Sequence, residues 1–303
     1  MQARSVEIAG SASIMKQPIR LGAMLLLSSF AATALAEQKP AGPEESSGPP
    51  APEASSPAAD DAESLAKKLS NPVASLISVP FQANMDFGIG LTDDGNKATL
   101  NIQPVVPISI SSNANLIVRT IVPVIFQTNL FGNDTSQFGL GDTTQSFFYS
   151  PKMPTAGGII WGAGPVFLYP TGTNQYTTGD KWGAGPTIVV LKQKGQFTIG
   201  VLANHVWSVA GSKSRPDISS TFLQPFVSYT TKRATTYTIN TESTYDWISD
   251  QWTVPINVTV SQLVRIGKQP VSFGLGGRYY VVRPEFGPDW GVRFVTTLLF
   301  PKK

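Results

Sequence analysis

From residue 79 to residue 300 the chain repeats one pattern, in which short segments alternate large apolar with small or polar residues and are separated by turn-forming clusters. Strand side chains point to opposite faces with period two, so each such segment has one apolar and one wettable face. The last segment shows it well. Trp290, Val292, Phe294, Thr296, Leu298 and Phe300 share one face, while Gly291, Arg293 and Thr297 lie on the other. About twelve segments of this kind can be counted. They run Val79–Leu91, Ala98–Ile110, Asn115–Thr128, Phe138–Ser150, Gly157–Pro170, Lys181–Leu191, Gln196–Val209, Ser219–Thr231, Ala234–Ile248, Trp252–Ile266, Pro270–Val282 and Trp290–Phe300. Each is long enough for a tilted membrane strand of ~9–11 residues.

The connections alternate too. Ser111–Ala114, Lys192–Gly195 and Gly267–Gln269 are tight, whereas Asn129–Gln137 and Thr171–Asp180 are long. Short turns at one end and longer loops at the other characterise outer-membrane barrels. An all-β fold is therefore expected, a closed antiparallel transmembrane β-barrel of about twelve strands with a short N-terminal helix. The longer turn Pro151–Ala156 leaves ten or fourteen strands open. A soluble periplasmic barrel stays as a minor alternative, since alternation does not say which face meets water.

Composition narrows the class. Charged residues make up 14% of the chain, against roughly 25% in soluble domains. Hydrophobic content is an ordinary 41%. That balance fits an outer band meeting lipid. With 23 basic and 20 acidic residues and no Lys/Arg block, nucleic acid is not an expected partner. There is no cysteine, so stability must come from a large fold or from a membrane.

Residues 1–36 read as a cleaved signal peptide of a bacterial outer-membrane protein. Lys16 and Arg20 precede the apolar run Leu21–Ala32, and Ala34-Leu35-Ala36 fits the cleavage site. Translation from Met1 or from Met15 fits equally. Residues 37–61, rich in Pro, Ala, Ser and Glu, read as a disordered tether. Residues 62–78 read as a short helix and lead-in segment, with Asp60 as cap, Glu63 at the capping-box position and Asn71-Pro72 as its end. Two placements are expected for that helix, at the periplasmic rim or as a plug in the lumen. Residues 79–303 form the barrel.

Parity sorts the faces. Asn115, Arg119 and Gln127 share one side of their segment, opposite Leu116, Val118, Val122, Val124 and Phe126. Gln82, Asn84 and Asp86 oppose Phe81, Met85, Phe87 and Ile89, and Asn240, Glu242 and Asp246 oppose Tyr237, Ile239, Tyr245 and Trp247. An Arg or Lys on the lipid face costs ~2–4 kcal/mol near the midplane. Asp86, Arg119, Asn240, Glu242, Asp246, Arg278 and Arg293 are thus the expected lumen-lining residues. Trp161, Trp182, Trp247 and Trp290 are the expected aromatic girdle, with Trp161 and Trp182 near opposite membrane faces. Gly162, Gly164, Gly183 and Gly185 would face inward. Pro104, Pro107, Pro123, Pro165, Pro186, Pro225 and Pro255 fall inside segments and call for bulges.

Catalytic signals are sparse. His205 is the sole histidine, and pairing it with Ser208 as a hydrolase is weaker than reading it as an interfacial side chain beside Trp207. No enzyme activity, cofactor or metal is expected.

Several motifs resemble a known family. Leu65-Ala-Lys-Lys-Leu-Ser-Asn-Pro72 and its continuation to Gln82, Asn101–Pro107, Gln137-Phe-Gly-Leu-Gly-Asp142, Trp182-Gly-Ala-Gly-Pro186, Leu202–Trp207 and Asn240–Trp247 look like a proteobacterial outer-membrane "transporter" family, often mislabelled "neuromedin U". It is allied to the MetA-pathway of phenol degradation barrels. The resemblance spans about residues 62–302. It brings no catalytic or ligand residues, and implies at most a link to uptake of small aromatic compounds. The expectation is an outer-membrane channel or transporter passing small solutes, aromatic or hydrophobic ones included, through a narrow charged lumen. Its partners would be outer-membrane lipid and, during assembly, the barrel-insertion machinery. A closed barrel acting as envelope scaffold or adhesion partner is the alternative.

Overall fold

A computed structural model describes residues 57–132 and 134–301 of the chain. The expected signal peptide and most of the expected tether lie outside them. Helix α1 (Pro57–Leu69) is followed by fifteen strand segments. These are β1 (Ile77–Ile89), β2 (Gly95–Ile102), β3 (Val105–Ser109), β4 (Ala114–Thr128), β5 (Ser136–Leu140), β6 (Thr143–Pro151), β7 (Ile159–Tyr169) and β8 (Lys181–Lys194). The remainder are β9 (Phe197–Gly211), β10 (Ser219–Thr230), β11 (Thr235–Thr241), β12 (Ser243–Asp246), β13 (Gln251–Ile266), β14 (Gln269–Val282) and β15 (Trp290–Phe300). Segments β2 and β3, β5 and β6, and β11 and β12 are halves of single staves, so fifteen segments make twelve staves. Each stave pairs antiparallel with its chain neighbours. The circle closes between β1 and β15, from Ile77↔Phe300 to Phe87↔Trp290.

Proline explains where the staves are interrupted. It lacks the N–H that a ladder bond needs. Pro104 separates β2 from β3. Across Pro123 the pairing of β4 slips by one residue, Val124↔Leu140 on one side and Ile121↔Thr144 on the other. Pro165 and Pro186 face each other, and the ladders on their far sides break there, between Ser146↔Val166 and Tyr149↔Ala163 and between Ala184↔Trp207 and Thr187↔Asn204. Pro255 sits at a bulge against β14 and in the gap between Thr241↔Ile256 and Thr244↔Thr253. Glu242 occupies that gap.

The outer face carries an apolar band around the barrel. Met85, Phe126, Ile188, Ile199, Ile239, Val258, Leu275 and Phe294 are all exposed on different staves. One residue departs from the expected parity. Ile89, expected outside, is turned inward and buried, because Gly88 adopts φ 72° where the β1–β2 register shifts.

The inner face divides into an apolar and a polar wall. Ile117, Phe148, Val189, Leu191, Leu202 and Phe226 form a buried cluster on the β4–β10 side, closed over by Val73. The small face of Gly162 admits it, since a Cβ there would sit 3.1 Å from Val73 and 3.2 Å from Phe148. The other staves present Ser, Thr, Asn and Gln with the lumen charges.

Helix α1 begins at Pro57, so Asp60 lies inside it and is not its cap; proline is well suited to a first helical turn. It ends at Leu69, and Ser70 and Asn71 donate back to Ala66 and Lys68. Leu65 and Ala66 are buried with Leu76, Ala234, Leu263 and Leu299, at the barrel end that holds the short turns. Gln193 donates to the Lys67 carbonyl at 2.9 Å, and Arg265 pairs with Asp61. The chain after the helix dips into the lumen, where Asn115 donates to Ser75 at 2.7 Å and Val73 joins the apolar wall. The helix thus lies at the mouth rather than plugging the lumen, and it is the lead-in segment that enters.

Truncating Leu65 to Ala should weaken docking of the helix by about 2–5 kcal/mol, the usual range for a buried leucine. Trypsin should then cut after Lys67 and Lys68 faster than in the native chain, with the barrel's heat-modifiable migration kept. Equal cleavage rates would rule out a docked helix.

Candidate functional site

The polar wall brings four of the expected charges into one network. Arg293 of β15 is 3% exposed and places both terminal nitrogens on Glu242, at 2.9 and 2.6 Å. Its Nε donates to Asn84 of β1 at 2.7 Å. Arg278 of β14 approaches Asp86 at 3.4 Å and Glu242 at 3.9 Å, and lies over the Tyr280 ring at 5.3 Å. Asp86 and Arg278 stand on staves that flank β15, and the residue in register between them is Gly291. A Cβ there would lie 2.6 Å from the Asp86 carboxylate, so glycine is what lets the two side chains meet. The planar fork of Arg293 and the carboxylate of Glu242 match in shape, which favours the two-bond contact.

The remaining expected lining residues are placed differently. Arg119 donates to Gln103 at 2.9 Å, and Asn240 accepts from Asn257 at 2.9 Å. Asp246 does not join the network. It accepts from the Ile248 amide at 2.9 Å and the Ser249 hydroxyl at 2.7 Å, and so caps the hairpin at the loop end. Lys97, Gln103 and Tyr280 were not singled out from sequence. Lys97 lies just before the second alternating segment as drawn, which hid its inward parity.

The network partitions the interior. A cavity of about 260 Å³ on the helix side is lined by Leu69, Gln82, Gln224, Thr238, Asn240 and Arg293. A second, of about 410 Å³ on the loop side, is lined by Asp86, Lys97, Asn101, Glu242, Arg278 and Tyr280. Arg293 belongs to one wall and Glu242 to the other, so their contact bounds both chambers.

The four tryptophans expected as a girdle lie on the outer face. Trp182, Trp247 and Trp290 are half-exposed at the loop end, joined there by Trp207 and Trp252. Trp182 packs edge-on against Tyr169 at 5.7 Å and Trp247 edge-on against Tyr245 at 4.8 Å, while Trp290 lies tilted over Phe87 at 4.7 Å. Trp161 meets Tyr149 at 6.2 Å toward the opposite end. His205 sits among the loop-end rings, 4.1 Å from Trp207, and shares a 2.7 Å hydrogen bond with Thr221. Ser208 engages Asp217 at 3.3 Å and accepts from the Ile218 amide. The two side chains therefore have separate partners and no mutual contact. Among the described residues no group of three or more His, Cys, Asp or Glu could hold a metal ion.

At the loop rim, Lys181 hydrogen-bonds Asp217 at 2.8 Å and holds that carboxyl below its ordinary pKa, with Ser208 assisting. A depressed carboxyl steadies its loop above the usual carboxylate range, and the contribution is lost as pH falls through the lowered value.

No family model and no curated protein matches the chain. Among solved structures it is similar to an outer-membrane channel from Pseudomonas putida F1, with 15% identity and a TM-score of 0.57 over 74% of this chain and 94% of that one. It also overlaps the calcium-bound outer-membrane phospholipase dimer of Salmonella typhi, with 10% identity and a TM-score of 0.45 over 78% of this chain and 97% of that one. At 15% identity the likeness to the channel is one of fold.

Replacing Glu242 with Gln leaves Arg293 buried without its counter-charge. Loss of one partner from a buried pair costs about 3–5 kcal/mol. The urea midpoint of the refolded protein should fall accordingly, and Glu242→Gln combined with Arg293→Met should recover part of the loss. An unchanged midpoint in Glu242→Gln would deny the pair any structural role.

Proposed function

We propose that this protein is a bacterial outer-membrane channel that passes small solutes through a narrow, charged lumen. The observation that carries the reading is the division of the interior into two chambers of mixed polar and apolar lining by the Glu242–Arg293 contact. A barrel meant only as a scaffold has no need of such chambers. The apolar outer band, with tryptophan rings at the loop end, supports a membrane setting, because amphipathic rings favour the headgroup level. An exported chain with a removed leader is consistent with the sequence of residues 1–36. Twelve staves fall between filled eight-stranded barrels and wide porins, which suits selection by size and polarity.

Selection would work through fixed charge and width together. A solute reaching the Glu242–Arg293 contact must displace it or slip past it. It would do so by offering hydrogen bonds of its own, since uncompensated burial of either charge is costly. The apolar wall around Phe226 and Phe222 gives small aromatic solutes a surface on the same path. Helix α1 and residues 70–76 narrow the exit at the short-turn end.

Planar-bilayer recording of the refolded mature chain tests the reading. Small, steady unitary currents are expected, and removing residues 57–76 should raise the unitary conductance severalfold. Absence of current at any voltage, in the mature and truncated chains alike, would reject a channel and favour the closed scaffold.

A further inference from the structure

The charges that line the interior do not balance. Asp86 and Glu242 are the carboxylates lining the two chambers and the smaller pocket beside α1, against Lys68, Lys97, Arg119, Arg278 and Arg293. Arg278 and Arg293 are matched by the two carboxylates. The other three cations have no ion-pair contact among the described residues. Lys97 stands in register beside Asp86 on the neighbouring stave but makes no direct ion pair with it. Arg119 donates to the neutral amide oxygen of Gln103 at 2.9 Å. The pocket of about 160 Å³ beneath the helix is lined by Lys68 and Arg119 together with Asn71, Ser78, Gln103 and Gln224, and by no carboxylate. Two cations with amide and hydroxyl donors around a small void make the donor set a carboxylate or an inorganic anion requires.

We infer that the lumen prefers anions, with Lys97 drawing them into the loop-side chamber and the Lys68–Arg119 pocket holding a small monovalent anion of the carboxylate class beneath α1. The inference rests on the channel reading and adds its ionic selectivity. The succession of cations along the path supports transit. Lys97 lies on one side of the Glu242–Arg293 contact and Arg119 toward the other mouth, so an anion leaving one cation meets another before release. Multiple weak sites of this kind permit both binding and escape. The exposed carboxylates of the rim, Asp93, Asp94 and Asp250 among them, stand in water and are screened by salt over roughly 8–10 Å, whereas charges in the narrow lumen are screened far less.

The test is the reversal potential of the refolded mature chain in a potassium chloride gradient. It should lie on the chloride side, with chloride favoured severalfold over potassium. In Lys97→Gln combined with Arg119→Gln the ratio should fall to near unity or invert, with folding verified by heat-modifiable migration. Asp86→Asn should move it further toward chloride. Potassium benzoate added on one side should lower chloride current through the native chain more than through Arg119→Gln. A native reversal potential on the potassium side would overturn the inference while leaving the channel intact, whereas absence of current would remove the channel reading itself. In that second case, diffraction from crystals soaked in sodium bromide decides the pocket. Anomalous density between Lys68 and Arg119 would uphold an anion site, and its absence would overturn it.

Discussion

The pairing of β1 with β15 is the constraint on which everything else rests. It removes the two free edges that a twelve-stave sheet would otherwise present, and it fixes the diameter of the interior. Once the circle is closed, period-two alternation has only two destinations for a side chain, outside or inside. The outside takes the large apolar groups. The inside must accommodate everything else, and the distribution of size and charge there decides how much space remains. The β4–β10 side solves this by filling itself with Ile117, Phe148, Val189 and Leu202, while the opposite side stays polar and partly hollow.

Proline and glycine shape that interior as much as the charges do. Glu242 sits where its stave is broken, facing the region of Pro255, and its carboxylate reaches β15, three staves away. Gly291 removes the side chain that would separate Asp86 from Arg278. Residues that weaken a sheet locally are here what allows its charged groups to touch. A buried network of this sort is weak as a source of stability but strong as a means of fixing one arrangement, because each member is costly to leave alone.

Much of this was legible in the residues. Twelve alternating segments became twelve staves, since alternation is a local property of extended chain, and four of the charges sorted by parity, Asp86, Glu242, Arg278 and Arg293, meet in one network. What failed to show was anything dependent on register between distant staves. That Arg293 chooses Glu242, and Asp86 chooses Arg278, follows from the stagger of the closed sheet and from Gly291, neither of which a single segment reveals. Ile89 was misplaced because a positive φ at Gly88 inverts the alternation for the residues after it. Asp246 shares the parity of Glu242, but it stands at the end of its stave, where a hairpin needs an acceptor more than the lumen needs a charge.

The docking site of α1 is assembled from Ala234, Leu263 and Leu299, together with Leu76 next to the helix itself. Those residues come from three widely separated parts of the sequence, the last of them on the final stave. Until that stave has been laid against β1 there is nothing complete for the helix to bind. The helix, though made early in the chain, is therefore bound to be among the last pieces to settle, once the wall it leans on is whole.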